Sequence, residues 1–554
     1  MALKNISFSN SIIKLYRTLI PDKIDIGVIY MYSILAGLVQ LSLPLGIQSI
    51  INFVMAGSIS TSIIVLIGLV VFGVFINGLL QVQQLQILEK IKQKLFVRYS
   101  LEYGERIPKL NIEKLDGEYL PEMANKFFDN ISLQKALDKL LIDLPAALIQ
   151  VLLGLSLLAF YHPVFIGFGI ILLFIVFSYI RFTSSQGLNT AIAASGYKYD
   201  TAAWLQEIAR TIKSFKFSKN TALHIYKTDK IVSSYLKSRT SHFRILLSQY
   251  WSLIYFKVII TAAMLIVGAY LLLEQQINVG QFIAADIVII SIIGSIEKLI
   301  SNLDTVYDAL VSVEKLSILA EAEKEQSGTI TLPPTPQGLE VSFNNINFCY
   351  SDGELVLRNL NFSVAKGEII LLKGEAGAGK STVLRLLTGA FKNYEGSILI
   401  NGIPIANYDL QSLRQSIGIL LGNQDIFEGS IMQNLTMGNE KIVFENILEL
   451  TNILGLDQYI NSRKEGFDTI LTPIGSNLPK AVRKNILLMR ALLGDNRLIL
   501  LKEPFDHLNK DQINETFNYI RRSRATVIIA SRMGNIKEYF DKVFRMENGT
   551  IPVK

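Results

Sequence analysis

The chain has 554 residues, of which 50% are hydrophobic and only 18% charged, with a mean hydropathy of +0.36. Soluble domains usually carry about 25% charged residues, so this composition excludes disordered, collagenous and coiled-coil classes and points to a membrane protein. One cysteine, Cys349, and four scattered histidines, His162, His224, His242 and His507, exclude an internal disulfide framework and a multi-cysteine zinc site, and the net charge of +7 fits basic cytoplasmic loops better than nucleic acid.

The N-terminal arm spreads Lys4, Lys14, Arg17 and Lys23 along its length and lacks a small-residue cleavage site, so it does not read as a signal peptide. Six apolar runs follow, at 27–50, 62–82, 140–160, 163–182, 249–273 and 280–301. Each is close to the ~20 residues that cross about 30 Å of hydrocarbon. Pro44, inside the first run, is expected to kink it. The short connections 57–61, 161–163 and 274–280 carry no Lys or Arg, whereas the loop before the fifth run holds ten. That bias places both termini in the cytoplasm. The loops 83–137 and 183–247 have a helical pattern, so the membrane helices should continue beyond the bilayer.

Two of the ionisable residues within these runs, Asp286 and Lys257, bear on function. Asp286 falls ~15 Å from the preceding outer loop at 1.5 Å per residue. A carboxyl near the bilayer centre marks either a transport pathway or a structural group bonded to a neighbouring helix. Lys257 lies near the inner interface, where a lysine is expected to snorkel.

Residues 321–338 lose apolar periodicity and gather Pro333, Pro334 and Pro336, which reads as a linker. From 339 to 554 short β-rich segments alternate with helical ones, the pattern of an α/β domain. A strand over 368–372 runs into GEAGAGKS at 374–381, followed by a helix over 382–388. This is a phosphate-binding loop in its strand–loop–helix context. Gly374, Gly377 and Gly379 let backbone N–H groups close on phosphate oxygens, with Thr382 just beyond, and the helix N-terminus adds its dipole. Lys380 can reach the β- and γ-phosphates, and the Ser381 hydroxyl can ligate Mg²⁺.

With these motifs in place, nearly the whole chain resembles an ABC exporter half-transporter: a helical membrane domain (1–320), a linker and an α/β P-loop NTPase domain (339–554). The segments EGSILINGIPIANYDLQSLRQSIG (395–418), FEGSIMQNL (427–435) and LLMRALLGDNRLILL (487–501) carry the likeness, and LPLGIQSIINFVMAG (43–57) resembles bacterial peptide and protein exporters. The resemblance implies ATP as ligand, Tyr350 as the ring that stacks on adenine, and Glu503 at the position of the catalytic base. It also implies a bacterial inner or plasma membrane, lipid contact, a second ABC half-transporter subunit as partner and room for a periplasmic adaptor. The N-terminal cysteine-peptidase domain of some such exporters is not expected, since about 25 residues precede the first run. Coupling helices, which contact the nucleotide domains, are placed near 117–125 and 202–211.

The departures from the family pattern are concentrated in the nucleotide domain. Lys502 stands where the family has an aspartate that holds Mg²⁺ through water, and Ser531 where it has a switch histidine. The signature LSGGQ is replaced by Leu478, Pro479, Lys480, Ala481 and Val482. The usual glutamine falls on Gly422, with Gln424 two residues away as a candidate replacement. At ~5 Å and an effective dielectric of ~20, a unit charge against Mg²⁺ is worth roughly 6–7 kcal/mol, so reversing its sign opposes the metal. ATP is therefore expected to bind with little help from Mg²⁺, and efficient hydrolysis by a homodimer is not expected. The favoured reading is a degenerate subunit of a heterodimeric exporter. A membrane scaffold or nucleotide sensor, and an active homodimer with unorthodox residues, stand as alternatives.

Overall fold

The structure, a computed structural model, describes residues 8–57, 61–115, 119–219, 222–334, 336–350, 353–422, 424–532 and 537–552. It divides into two units. The first comprises Met1–Pro108 and Tyr119–Ala322, the second Lys109–Glu118 and Glu323–Lys554. Lys109–Glu118, within the stretch 1–320, groups with the second unit.

The first unit is helical. Its long elements are α1 (Phe8–Leu19), α2 (Lys23–Gln40), α3 (Ser42–Met55) and α4 (Thr61–Arg106), followed by the short α5 (Leu120–Asn125) and α6 (Asp129–Asp138). Then come α7 (Leu144–Tyr161), α8 (Val164–Arg210), the short α9 (Ile212–Phe217), α10 (Leu223–Leu273), α11 (Val279–Ser301) and α12 (Leu303–Ala320). Among the described residues, five helical stretches are long and apolar enough to cross a membrane. The fourth run of the sequence lies in α8, part of which is outside the described side chains. The 46, 47 and 51 residues of α4, α8 and α10 bear out the expected continuation beyond the bilayer. The break in the first span falls at Leu41, between α2 and α3. Pro44 explains it: its ring collides with the carbonyl four residues earlier, at Gln40.

Small residues set how closely these helices approach. A Cβ on Gly187 would lie 2.5 Å from the Tyr307 ring, and one on Gly154 would lie 2.9 Å from Ile292. Buried polar groups are paired across helices. Gln84 Nε2 donates to Ser33 Oγ (2.8 Å) and Gln150 Nε2 to Ser291 Oγ (3.0 Å). His242, fully buried, sits between Thr190 Oγ1 (2.9 Å) and Asp304 Oδ1 (2.8 Å). Lys257 does not simply snorkel: its ammonium pairs with Glu297 of α11. A charge this near hydrocarbon is stabilised more by a carboxylate partner than by reaching for headgroups alone. Asp286 is half-buried and has no hydrogen-bond or ion-pair partner among the described residues.

The second unit contains two main sheets. β1 (Val341–Cys349), β2 (Leu355–Val364), β4 (Tyr394–Ile400) and β5 (Ile403–Pro404) form an antiparallel sheet in the order β2-β1-β4-β5. β3 (Ile369–Lys373), β6 (Ile417–Leu420), β9 (Leu498–Lys502), β10 (Thr526–Ser531) and β11 (Lys542–Arg545) form a parallel sheet in the order β11-β3-β10-β9-β6. β7 (Gly429–Ser430) and β8 (Ile470–Leu471) make a short pair. The helices are α13 (Lys380–Leu386), α14 (Leu410–Gln415), α15 (Ile431–Thr436), α16 (Phe444–Ile453), α17 (Asp457–Asn461), α18 (Lys480–Leu492) and α19 (Lys510–Ser523). The parallel strands read IILL, LILL and TVIIA because both of their faces are covered, and their side chains are buried.

The residues read as a linker are bound to this unit. Glu325 takes a bidentate bond from Arg414 (2.6 and 2.9 Å), Ser327 donates to Asp409 (2.9 Å) and Leu332 enters the core. Glu113 accepts from the backbone N–H groups of Lys392 (3.2 Å) and Asn393 (2.9 Å), which ties Lys109–Glu118 to the same unit.

Candidate nucleotide site

The carboxyl ends of three neighbouring parallel strands converge on one cleft of about 990 Å³. In α/β sheets ligands bind at this edge, because loops there diverge and helix N-termini point inward. β3 delivers the phosphate loop, β9 ends in Lys502 and leads to Glu503, and β10 ends in Ser531. The ladder places Ala530 opposite Lys502 and Ser531 opposite Lys373.

The phosphate loop is shaped by its glycines. A Cβ on Gly374 would come within 2.4 Å of the Met546 carbonyl oxygen, so no larger residue fits there. Gly377 and Gly379 have φ of 85° and 90°, a region that side chains disfavour. Lys380 opens α13 and folds over the loop, donating to the carbonyls of Gly374 (2.6 Å) and Glu375 (2.7 Å). Burial lowers its pKa, and the nearby Arg532 and Lys502 charges act in the same direction, while Glu503 and Glu375 oppose them. An anionic ligand would relieve that crowding of positive charge. Ser381 and Thr382 line the cleft on the same side.

The opposite side is organised differently. Glu503 adopts a φ of +42°, an uncommon backbone state for a residue with a side chain. Its carboxylate accepts a hydrogen bond from the Ser531 hydroxyl (2.7 Å) and a longer one from the Arg532 backbone N–H (3.2 Å). The residue at the switch position therefore holds the residue at the base position. Lys502 lines the cleft and has no hydrogen-bond or ion-pair partner among the described residues. Its Nζ would lie 3.1 Å from a Cβ built on Gly422. Two departures far apart in the sequence are thus neighbours across β9 and the end of β6.

The remaining site residues lie as follows. Gln424 Oε1 accepts from the Leu421 N–H (2.9 Å), so this amide closes its own loop, and Gln424 is not among the cleft-lining residues. Asn423, between it and Gly422, is outside the described residues. Tyr350 meets Thr382 Oγ1 through its hydroxyl (3.2 Å), accepts from Arg385 (3.2 Å) and packs edge-on against Phe348 and Phe391. It too is off the cleft lining. Leu478 and Pro479 precede α18, whose first residues include Lys480, Ala481, Val482, Arg483 and Lys484 and no acid. None of the five replaced signature residues lines the cleft. Arg358 and Arg532 do, and the motif reading passed over both. Arg532 could have been found as the basic residue following Ser531, whereas Arg358 carries no local signal.

Residues 26–296 match the profile of the ABC transporter transmembrane region, and residues 357–506 that of the ABC transporter ATP-binding part, described as ABC transporter. The chain belongs to the ABC transporter family. The alpha-hemolysin translocation ATP-binding protein HlyB of Escherichia coli O157:H7 is 28% identical over 359 residues, 64% of this chain and 50% of that protein. The leukotoxin export ATP-binding protein LtxB of Aggregatibacter actinomycetemcomitans is 26% identical over 288 residues, 51% of this chain and 40% of that protein. The matching region spans half of these relatives' length or less. A bacterial Atm1-family ABC exporter solved with ATP bound superposes with a TM-score of 0.85 at 17% identity, covering 97% of this chain and 95% of that one. At that identity the likeness is one of fold. This ABC transporter is therefore a multi-pass membrane protein whose membrane region is fused to an ATP-binding domain.

ATP in such domains is ordinarily accompanied by Mg²⁺, an ion that takes six oxygen ligands at close to octahedral geometry. Among the residues expected to hold it, only Ser381 offers an oxygen. Position 502 carries an ammonium, position 422 carries no side chain, and the Gln424 oxygen is already engaged. This donor set does not fit the ion.

Proposed function

We propose that the chain is the ATP-binding, catalytically degenerate half of an ABC exporter. It works with a second ABC half-transporter and moves a peptide, protein or amphipathic cargo outward across a bacterial inner or plasma membrane, with both termini cytoplasmic. One observation carries this reading: a complete phosphate loop shares its cleft with Lys502 at the metal-aspartate position, with Gly422 beside that lysine and Ser531 bonded to Glu503. Binding needs the loop. Phosphoryl transfer needs charge neutralisation and positioning from the other groups.

In a heterodimer the partner would supply an intact signature to this chain's Lys380, and its own catalytic groups would face LPKAV. That second site would be the engine. The printed functions of the hemolysin and leukotoxin exporters support a protein or peptide cargo. Tyr350 is the proposed adenine contact, reached by a movement that frees its ring from Phe391. Asp286, half-buried and unpaired, is the proposed pathway residue.

The test is co-purification of the full chain with candidate ABC subunits from its own membrane, followed by ATP turnover of the pair. Turnover that requires both chains supports the reading. Robust turnover by this chain alone would support the active homodimer instead, a reading favoured by the retained Glu503.

A further inference from the structure

Lys502 and Gly422 are about 80 residues apart in sequence yet adjacent in space. Lys502 ends β9, Gly422 lies two residues beyond the end of β6, and these strands are hydrogen-bonded neighbours. A Cβ at position 422 would approach Lys502 Nζ to 3.1 Å and its Cδ and Cε to 3.6 Å. The first of these is tighter than ordinary contact. A full glutamine side chain at 422 would therefore compete for the space that the lysine uses. The ammonium has no hydrogen bond or ion pair among the described residues, and it lines the cleft with Lys380, Arg358 and Arg532.

We propose that this ABC domain binds ATP in its metal-free form, with the Lys502 ammonium supplying the positive charge that Mg²⁺ supplies elsewhere and Gly422 providing the space it occupies. The two departures are then one change. Replacing the aspartate by lysine inserts a cation, and removing the side chain at 422 makes room for it. Metal-free ATP carries two more negative charges than its Mg²⁺ complex; the cleft lining sets Arg358, Lys380, Lys502 and Arg532 against Glu354, Glu503 and Asp506, so the Lys502 charge is what tips it positive. The inference rests on the reading that the phosphate loop binds nucleotide.

The experiment is calorimetric titration of the full chain in lipid nanodiscs with ATP, once in EDTA and once with Mg²⁺. We expect wild-type affinities that agree within about threefold. Lys502→Asp should weaken binding in EDTA by about tenfold or more and recover most of it with Mg²⁺. Gly422→Gln, which leaves the lysine in place but crowds it, should also weaken binding in EDTA. Thermal unfolding of each variant separates lost binding from lost fold, and the wild-type titration needs no variant. Wild-type binding that appears only with Mg²⁺ overturns the inference and leaves the nucleotide reading standing. Wild-type binding in neither condition overturns both.

Discussion

The two walls of the nucleotide cleft differ in what holds them. The β3 wall is set by backbone: glycines at 377 and 379 in left-handed conformations, Gly374 against a carbonyl oxygen, and Lys380 folded onto its own loop. The β9–β10 wall is set by side chains: an ammonium at 502 with no partner among the described residues and a carboxylate at 503 held by the Ser531 hydroxyl. A wall built from backbone keeps its shape whatever its neighbours are, so the phosphate loop itself survives substitutions opposite it. A wall built from side chains changes its chemistry with a few replacements. The first wall fixes where phosphates sit, and the second sets the charge they meet and the groups available for catalysis.

Three substitutions break or sharpen this contrast. The largest effect is expected from Lys380→Ala, which removes a charge-assisted contact from the β3 wall and should weaken ATP binding roughly 10–100-fold in a direct titration. Next is Gly374→Ala. Its Cβ would meet the Met546 carbonyl at 2.4 Å, and the displacement should cost about 2 kcal/mol of stability in denaturant unfolding. The smallest is Ser531→Ala on the opposite wall. It releases one of the bonds to Glu503, should cost about 1 kcal/mol in the same unfolding measurement, and should leave ATP affinity unchanged. A loss of affinity in Ser531→Ala comparable to that in Lys380→Ala would mean that the walls are not independent.

The β3 wall was legible in the sequence because its chemistry is local: one eight-residue string between a buried strand and a helix specifies it. The membrane spans were legible for a similar reason, since length and apolarity suffice, and Pro44 announced the helix break that falls at Leu41. The opposite wall was legible only as separate departures. Lys502 and Gly422 meet through strand order, which no linear pattern displays. Gln424 seemed able to stand in for a missing amide, but a turn closes its side chain onto Leu421. Lys257 looked like a snorkelling residue because Glu297 lies 40 positions away on the next helix. The buried His242–Asp304 pair also joins separate helices and left no mark in the sequence. The segment Lys109–Glu118 groups with the second unit. Glu113 binds two backbone N–H groups there, an ordinary surface glutamate until its partners are seen.

The central claim is that this chain binds ATP without hydrolysing it efficiently by itself. The direct measurement is ATP bound and phosphate released by the same preparation of the full chain in lipid nanodiscs, alongside Lys380→Ala as background. The account predicts bound ATP in the wild type with phosphate release no higher than in that variant. Phosphate release well above the Lys380→Ala background, with no second ABC subunit present, would contradict it.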